Sequence, residues 1–367
     1  MKNLAPLKQP PASAARRWAG LAASLGLGAA GGAIAYRLGA PMPWMLGAVL
    51  ANAIWAVGFP GKLHPVWFPE TLRNGFIVVI GVMIGGMFTA DLLARLPGWW
   101  PGAIGVVAYA VTAQFAAFAL LRRVGGLDRP TAWFAASPGG LIENILFGEA
   151  SGGDRTTIAA LQFLRIVIVI IVLPFGFSIW VGHAVGSASG MSMSGGRGAT
   201  EMFDLTLLAV AGIIGLVVGR GLRIPAGHMV GPIGASAAMH LSGLVDTQPP
   251  AIAVMAAQVV IGSSLGARFA GLPLSALKRL VGLAMAKGAV MLGLALLFAF
   301  LLSPATEEAP SLYLMAFAPG GVIEMGLIAL TLGANPVFVT THHIMRIFST
   351  VFLTPWLYRR FVERRAF

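Results

Sequence analysis

The 367-residue sequence contains no cysteine and few charged residues. Without cysteine the chain can form neither a disulfide bond nor a thiolate site for catalysis or metal binding. Charged residues make up 10% of the chain, whereas a soluble domain carries about 25%. Hydrophobic residues make up 57%, and the mean hydropathy is +0.83. Long apolar runs separated by short charged loops predict an all-α integral membrane protein with several spans.

Motifs for several enzyme classes are missing. The sequence has no GxxxxGK[ST] phosphate loop, so it shows no sign of an ATP-driven pump, and it has no HExxH zinc motif. Its six histidines are scattered, with one adjacent pair, unlike the clusters of a copper or iron oxygenase. We therefore expect no enzyme activity, no cofactor and no metal.

The net charge of +12 does not indicate nucleic-acid binding. The basic residues lie in loops between apolar runs and form no separate basic domain. No nucleic-acid partner is therefore expected, and the lipid bilayer is the predicted surrounding of the chain.

The sequence is a duplication. Residues 137–143, SPGGLIE, recur 181 residues later as APGGVIE at 318–324. The same offset relates Arg165 to Arg346. A repeat of this length is far longer than a solenoid repeat and fits the two halves of a membrane carrier.

Each half is predicted to contain five membrane spans. In the first half they cover about 18–37, 42–58, 74–91, 100–121 and 157–180. In the second half they cover about 205–220, 226–243, 250–270, 280–303 and 337–358. The Pro-Gly-Gly segments, about 131–152 and 312–334, fall between the fourth and fifth span of each half.

The charge distribution predicts the topology. If both Pro-Gly-Gly segments are re-entrant hairpins, most basic residues lie on the cytoplasmic side, as the positive-inside rule requires. If they crossed fully, six basic residues would move outside: Arg155, Arg220, Arg223, Arg268, Lys278 and Arg279. We therefore expect about ten transmembrane helices in two inverted five-helix repeats. Both termini are expected in the cytoplasm.

This topology divides the chain into five predicted parts. They are a cytoplasmic tail (1–17), the first repeat (18–182), a Gly/Ser-rich linker (183–203), the second repeat (204–358) and a basic cytoplasmic tail (359–367).

The Pro-Gly-Gly elements are the first candidate site. Each predicts a chain break followed by a helix start, whose unpaired N–H groups and dipole favour an anion. Glycine lets a ligand approach the backbone closely. Two such starts entering from opposite faces would meet near the midplane, as in secondary carriers. The alternative is a buried glycine turn that only eases packing.

The second candidates are the carboxylates of Glu143 and Glu324. A carboxylate inside the bilayer is a functional candidate, here for carrying a coupling H⁺ or Na⁺. Alternatively, if Gly140 or Gly321 is the N-cap, the glutamate lies at N3 and caps its own helix. A third interpretation pairs each glutamate with an arginine.

The third candidates are Arg165 and Arg346, whose planar guanidinium groups suit a carboxylate or phosphate. The alternative is a fixed salt bridge to Glu143 and Glu324. Lys287 lies near a predicted cytoplasmic helix end and is expected to snorkel. The predicted substrate-binding residues are Pro138, Gly139, Gly140, Asn144, Gln162, Arg165, Pro319, Gly320, Gly321, His343 and Arg346.

These residues carry a family resemblance. The duplicated Pro-Gly-Gly-x-x-Glu element, followed by Gln162-x-x-Arg165 and His343-x-x-Arg346, resembles the AbrB family of bacterial membrane proteins. That family carries a "membrane protein AbrB duplication" unit and is unrelated to the DNA-binding regulator of the same name. Its members have been labelled ammonia monooxygenases or regulators of gene expression. The resemblance implies an integral membrane protein that transports a substrate not yet settled.

The layout is also similar to that of the 2-hydroxycarboxylate and citrate symporters, an analogy at the level of the fold. The chain lacks their full motifs, so citrate is not assigned. We expect a secondary transporter of a small anionic metabolite, driven by H⁺ or Na⁺, in which one half moves against the other. The alternatives are a membrane regulator or scaffold, which the short cytoplasmic loops disfavour, and a membrane oxygenase. Helices rich in small residues leave a homodimer open.

Overall fold

A computed structural model of the chain describes residues 14–59, 68–185, 202–270, 274–306 and 308–363. Within these ranges all regular structure is helical. In the first half the helices are α1 (Ala14–Arg37), α2 (Pro43–Gly58), α3 (Glu70–Gly85), α4 (Ala90–Arg95), α5 (Trp100–Arg123), α6 (Arg129–Ala136), α7 (Leu141–Ala150) and α8 (Arg155–Val181). In the second half they are α9 (Met202–Gly221), α10 (Gly227–Leu241), α11 (Ala251–Ala267), α12 (Leu274–Thr306), α13 (Pro310–Phe317), α14 (Val322–Thr331) and α15 (Pro336–Leu357).

The helices match the predicted spans closely. Five continuous helical segments are long and apolar enough to cross a bilayer, and they are 14–37, 90–123, 155–181, 202–221 and 277–306. This confirms a helical protein with membrane-spanning segments. The count of ten crossings stays a prediction. Helix α1 begins inside the predicted tail, and most of that tail and of the linker lies outside the described residues.

The third span is the main difference. Helix α3 ends at Gly85 rather than continuing to 91, because two successive glycines are poor helix formers. A separate helix, α4, then begins where the Thr89 hydroxyl accepts a hydrogen bond from the Leu92 N–H at 3.3 Å. A 3₁₀ turn at Leu96–Trp99 joins α4 to α5, so that 90–123 is one continuous helical segment.

Both Pro-Gly-Gly segments form pairs of short helices around a break, as predicted. Hairpin 1 comprises α6, residues 137–140 and α7, and hairpin 2 comprises α13, residues 318–321 and α14. Each of these helices has 8 or 10 residues, a length of about 12–15 Å. A single one cannot cross a hydrocarbon core of about 30 Å.

The helices pack into two bundles, and each bundle contains helices from both halves of the chain. The glycine-packed bundle consists of α1–α3 and α9–α11, and the hairpin bundle consists of α5–α8 and α12–α15. The predicted repeats are therefore units of sequence rather than separately packed bodies.

Glycine permits the close helix packing in the first bundle. A Cβ atom added at Gly47 of α2 would overlap the carbonyl of Gly31 in α1. One added at Gly231 of α10 would overlap the carbonyl of Gly215 in α9. Small residues at helix crossings let backbones approach in this way, which explains why glycines lie at these crossings.

Contacts between the halves are reciprocal. Gly81 of α3 packs against Met229 of α10, and Gly262 of α11 packs against Met45 of α2. Gly81 and Gly262 are equivalent under the 181-residue offset, and Met45 and Met229 are related by the offset of 184 residues that applies to the second helices. Reciprocal contacts between equivalent residues are what a two-fold axis produces.

Candidate functional site

Arg165 and Arg346 lie buried on α8 and α15, and both bind the break of the hairpin in their own half. Arg165 Nη1 donates to the Ser137 carbonyl at 2.6 Å. Arg346 Nη1 donates to the equivalent carbonyl of Ala318 and, at 3.0 Å, to that of Phe317. These carbonyls follow the last turn of a short helix and have no partner within it, so each arginine satisfies a helix C-terminus.

Gln162 and His343 act in the same way one turn earlier. Gln162 Nε2 donates to the Phe134 carbonyl at 2.7 Å, and His343 Nε2 lies 2.8 Å from the equivalent carbonyl of Met315. His343 Nδ1 lies 3.1 Å from Arg346 Nη2, which can only donate. The network therefore assigns His343 the neutral tautomer with its proton on Nε2.

Lys287 belongs to this network, which the sequence did not predict. Its side chain is fully buried, and Nζ donates to the carbonyls of Ala135 at 2.8 Å and Leu161 at 3.1 Å. The expectation that Lys287 snorkels to the interface is wrong, because α12 continues for 33 residues and places it among other helices. Gln114 satisfies a further α6 carbonyl, that of Trp133, at 2.8 Å.

The two breaks converge on the last helices of the opposite halves. A Cβ added at Gly139 would meet the hydroxyl of Thr350 on α15. One added at Gly320 would lie 3.0 Å from Val169 on α8, the position equivalent to Thr350. Pro138 and Pro319 are buried within the breaks. Each Pro-Gly-Gly element therefore lies beside the arginine-bearing helix of the other half, and the meeting of the two elements near the midplane stays a prediction.

The hairpins differ after the break. Gly140 takes a left-handed conformation with φ +63°, which favours glycine, whereas Gly321 is extended. Asn144 Nδ2 donates back to the carbonyls of Gly139 and Gly140 at 2.6 and 2.5 Å. Met325, at the equivalent position, cannot make these bonds. The two hairpins are therefore not equivalent in their hydrogen bonds after the break.

The glutamates lie where the sequence placed them. Gly140 and Gly321 are the N-caps, so Glu143 and Glu324 occupy N3. The Glu324 side chain folds back onto its N-cap, because a Cβ added at Gly321 would overlap its Oε2. Glu143 is half-buried. Glu324 is buried, and its Oε2 has no hydrogen-bond partner.

The expected arginine–glutamate salt bridges are absent from the described part of the chain. An exposed ion pair joins Arg155 and Glu149 at 3.0 Å. The charge of Arg165 instead interacts with those of Arg346 and Lys287, which have the same sign. The alternative of a fixed arginine–glutamate pair is wrong, because the guanidinium groups turn towards backbone carbonyls.

Several buried polar atoms around the breaks lack a partner. They are Asn144 Oδ1, Gln162 Oε1, Arg165 Nε, Glu324 Oε2 and Arg346 Nε. Buried polar groups are nearly always hydrogen-bonded, so these atoms are available to a ligand or to water. In the residues that the structure covers, no group of three His, Asp or Glu side chains could hold a metal ion.

Comparison with known proteins gives a family match over most of the chain. A family described as "Transition state regulatory protein AbrB" matches residues 44–362. The chain is 21% identical over 350 residues to "Uncharacterized protein YhjN" of Bacillus subtilis (strain 168), covering 91% of each. It is 23% identical over 333 residues to "Putative regulator AbrB" of Escherichia coli (strain K12), covering 89% of this chain and 91% of the relative.

Proposed function

This chain belongs to the AbrB family, and we propose that it is a secondary transporter of a small anionic metabolite in the bacterial inner membrane. One observation carries the proposal. Three cationic side chains, Arg165, Lys287 and Arg346, are buried at two helix breaks with no carboxylate paired to them among the described residues. A charge buried without a counter-ion is costly, and a bound anion would supply that counter-ion.

The surrounding backbone supports the same ligand class. The first N–H groups of α7 and α14 carry the positive ends of the helix dipoles and have no partner within the helix. Both helices begin at the breaks. Arg165 Nε and Arg346 Nε are further unpaired donors. An anionic group placed there would meet donors from backbone and side chains together.

Glu324 is the better candidate for coupling. Its carboxylate is buried with one oxygen unpaired, whereas Glu143 is half-buried. A buried carboxylate in a membrane carrier is suited to binding a proton or Na⁺. We propose that transport is driven by H⁺ or Na⁺ and that Glu324 contributes more to the coupling than Glu143.

The proposed topology is two inverted five-helix repeats, each with a re-entrant hairpin, and cytoplasmic termini. The basic residues in the loops and the reciprocal contacts between equivalent glycines support it. Because each bundle combines helices of both halves, we propose that alternating access moves the hairpin bundle against the glycine-packed bundle. This replaces the expected movement of one half against the other.

A thermal-shift screen of the purified protein tests the ligand class. The ligands are carboxylates, phosphonates, inorganic phosphate, amino acids and ammonium, each with and without Na⁺ at two pH values. A ligand at 100 times its Kd adds about 2.7 kcal/mol of stability. We expect an anion to raise Tm in wild type and in Arg155→Ala, whose arginine is exposed on the same helix, but not in Arg165→Ala. A shift with ammonium alone would contradict the proposal.

A regulator without transport activity is the second candidate, because the Escherichia coli relative is named "Putative regulator AbrB". A regulator acts through a partner rather than by moving a solute. Deleting the gene and restoring it with Arg165→Ala separates the two functions. If that variant fully reverses the growth or expression defect of the deletion strain, regulation is favoured. If it does not, although it inserts normally into the membrane, transport is favoured.

A further inference from the structure

Helices α7 and α14 are equivalent in sequence but differ in how they are covered. On α7, Ile142 and Leu146 are 48% and 53% exposed. Their counterparts on α14, Ile323 and Leu327, are 7% and 1% exposed. Phe147 is also exposed on α7, while the residues of α14 from Val322 to Ala329 are all buried. One apolar face is therefore covered in the second hairpin and open in the first.

The element that covers α14 is α3, a helix of the other bundle. A Cβ added at Gly326 of α14 would lie 3.4 Å from the Ile84 side chain of α3. Helix α3 also packs against α15. The sequence equivalent of α3 is α11, which within the described residues makes no contact of similar extent with α7 or α8. Other contacts between the bundles join α2 to α8 and place Arg268, directly after α11, over the Phe163 ring of α8 at 4.4 Å. The contact of α3 with α14 and α15 therefore has no counterpart of the same extent at α11.

This asymmetry contrasts with the rest of the molecule. Inside the glycine-packed bundle, α3 packs on α10 as α11 packs on α2. Inside the hairpin bundle, Gly139 meets Thr350 as Gly320 meets Val169. Within each bundle, contacts recur between equivalent residues of the two halves. Between the two bundles they do not.

Two equivalent surfaces give two arrangements of similar composition. Moving the hairpin bundle so that α7 packs on α11 would cover the apolar face of α7 and uncover that of α14. The two faces carry Ile and Leu at equivalent positions, and the third position is Phe147 on α7 and Ile328 on α14. The apolar area buried on α7 would therefore offset the apolar area exposed on α14. Packed elements with two such discrete arrangements are bistable.

We propose that the face of α7 formed by Ile142, Leu146 and Phe147 is a docking surface for α11 of the same chain, occupied when α14 leaves α3. The proposal rests on the transport function proposed above and deepens it. Alternate closing of the two contacts between the bundles would open the breaks at residues 137–140 and 318–321 to opposite sides of the membrane. The present structure is then one of two related states.

The duplication specifies the docked register. Adding 181 to Ile84 gives Leu265, and subtracting 181 from Gly326 gives Ile145. The contact between Ile84 and Gly326 in this structure therefore predicts a contact between Ile145 and Leu265 in the other state. Both members of the predicted pair are apolar, as a helix–helix contact in a bilayer requires.

Cysteine cross-linking in native membranes tests the proposal, and the chain has no cysteine of its own to interfere. The test variant is Ile145→Cys with Leu265→Cys, and the positive control is Ile84→Cys with Gly326→Cys. The negative control pairs Ile145→Cys with Val217→Cys, an exposed position on α9. After copper-phenanthroline oxidation, we expect intramolecular disulfides in the first two variants and only background in the third.

The two contacts are also expected to exclude each other. In a variant carrying all four cysteines, forming the disulfide between positions 84 and 326 first should block the one between 145 and 265. The inference would be overturned if the pair at 145 and 265 gave only the background of the negative control. It would also be overturned if both disulfides formed in one molecule. This test needs no substrate. If the disulfides form as predicted but no anion binds, the proposed substrate class is wrong and the inference of two states stands.

Discussion

Replacing each duplicated arginine by alanine should have unequal effects on stability, although the two positions are equivalent in sequence. Arg346 donates to the carbonyls of Phe317, Ala318 and Gly320 and contacts His343 Nδ1. Arg165 has one such bond, to Ser137. A buried acceptor left without a partner costs about 1–3 kcal/mol. Arg346→Ala removes the donor of three carbonyls at once, so it should lose at least about 3 kcal/mol.

Arg165→Ala should lose about 1–3 kcal/mol, because the Ser137 carbonyl would keep only its long contact with Gln162 Nε2, at 3.4 Å. The assay is thermal unfolding of both purified variants in one detergent, with Arg155→Ala as the exposed control. We expect Arg165→Ala to keep most of its stability and to lose anion binding, and Arg346→Ala to be poorly folded. Equal losses of stability, or a greater loss in Arg165→Ala, would refute the conclusion that Arg346 stabilises its hairpin more than Arg165 does.

Three further substitutions follow from the site. Lys287→Met should abolish anion-dependent stabilisation by removing a buried cation, whereas Lys278→Met, exposed on the same helix, should not; equal thermal shifts would contradict this. Gly139→Ala should cost about 1–3 kcal/mol by overpacking against Thr350, and adding Thr350→Ala should restore part of that loss in a double-mutant cycle of unfolding free energies. Glu324→Gln should remove the dependence of uptake on H⁺ or Na⁺ without removing anion binding, and unchanged ion dependence would exclude Glu324 from coupling.

The breaks were predictable because their signals are local. Proline and two successive glycines end one helix, and the duplication marks the segment twice. The duplication also identified Gln162, Arg165, His343 and Arg346 as one arrangement used twice. These residues are confirmed at the breaks, and their roles in binding a substrate stay a prediction.

The partners of the arginines were not predictable. The sequence suggested glutamate as the partner of each arginine, whereas the structure shows backbone carbonyls. Every residue has a backbone carbonyl, so the sequence does not indicate which one an arginine binds. The role of Lys287 was not predictable for a related reason. Its equivalent in the first half is Val106, so the duplication gives no signal, and only the packing of α12 against α8 makes it buried.

The grouping of helices into bundles also depends on tertiary contacts. The sequence shows two halves, and the simplest expectation is that each half packs by itself. The glycines that let α3 pack on α10 and α11 pack on α2 were visible as repeated residues. Their partners lie more than 100 residues away in the chain, and helix periodicity does not specify such pairings.

Anion-driven charge movement in reconstituted vesicles tests the central claim most directly. Vesicles carrying the purified protein would be adsorbed on a solid-supported membrane and exposed to concentration jumps of carboxylates, phosphonates, inorganic phosphate and ammonium. We predict a transient current with at least one anion, present in Arg155→Ala and absent in Arg165→Ala. A current with ammonium and with no anion, or an anion current unchanged in Arg165→Ala, would contradict the account.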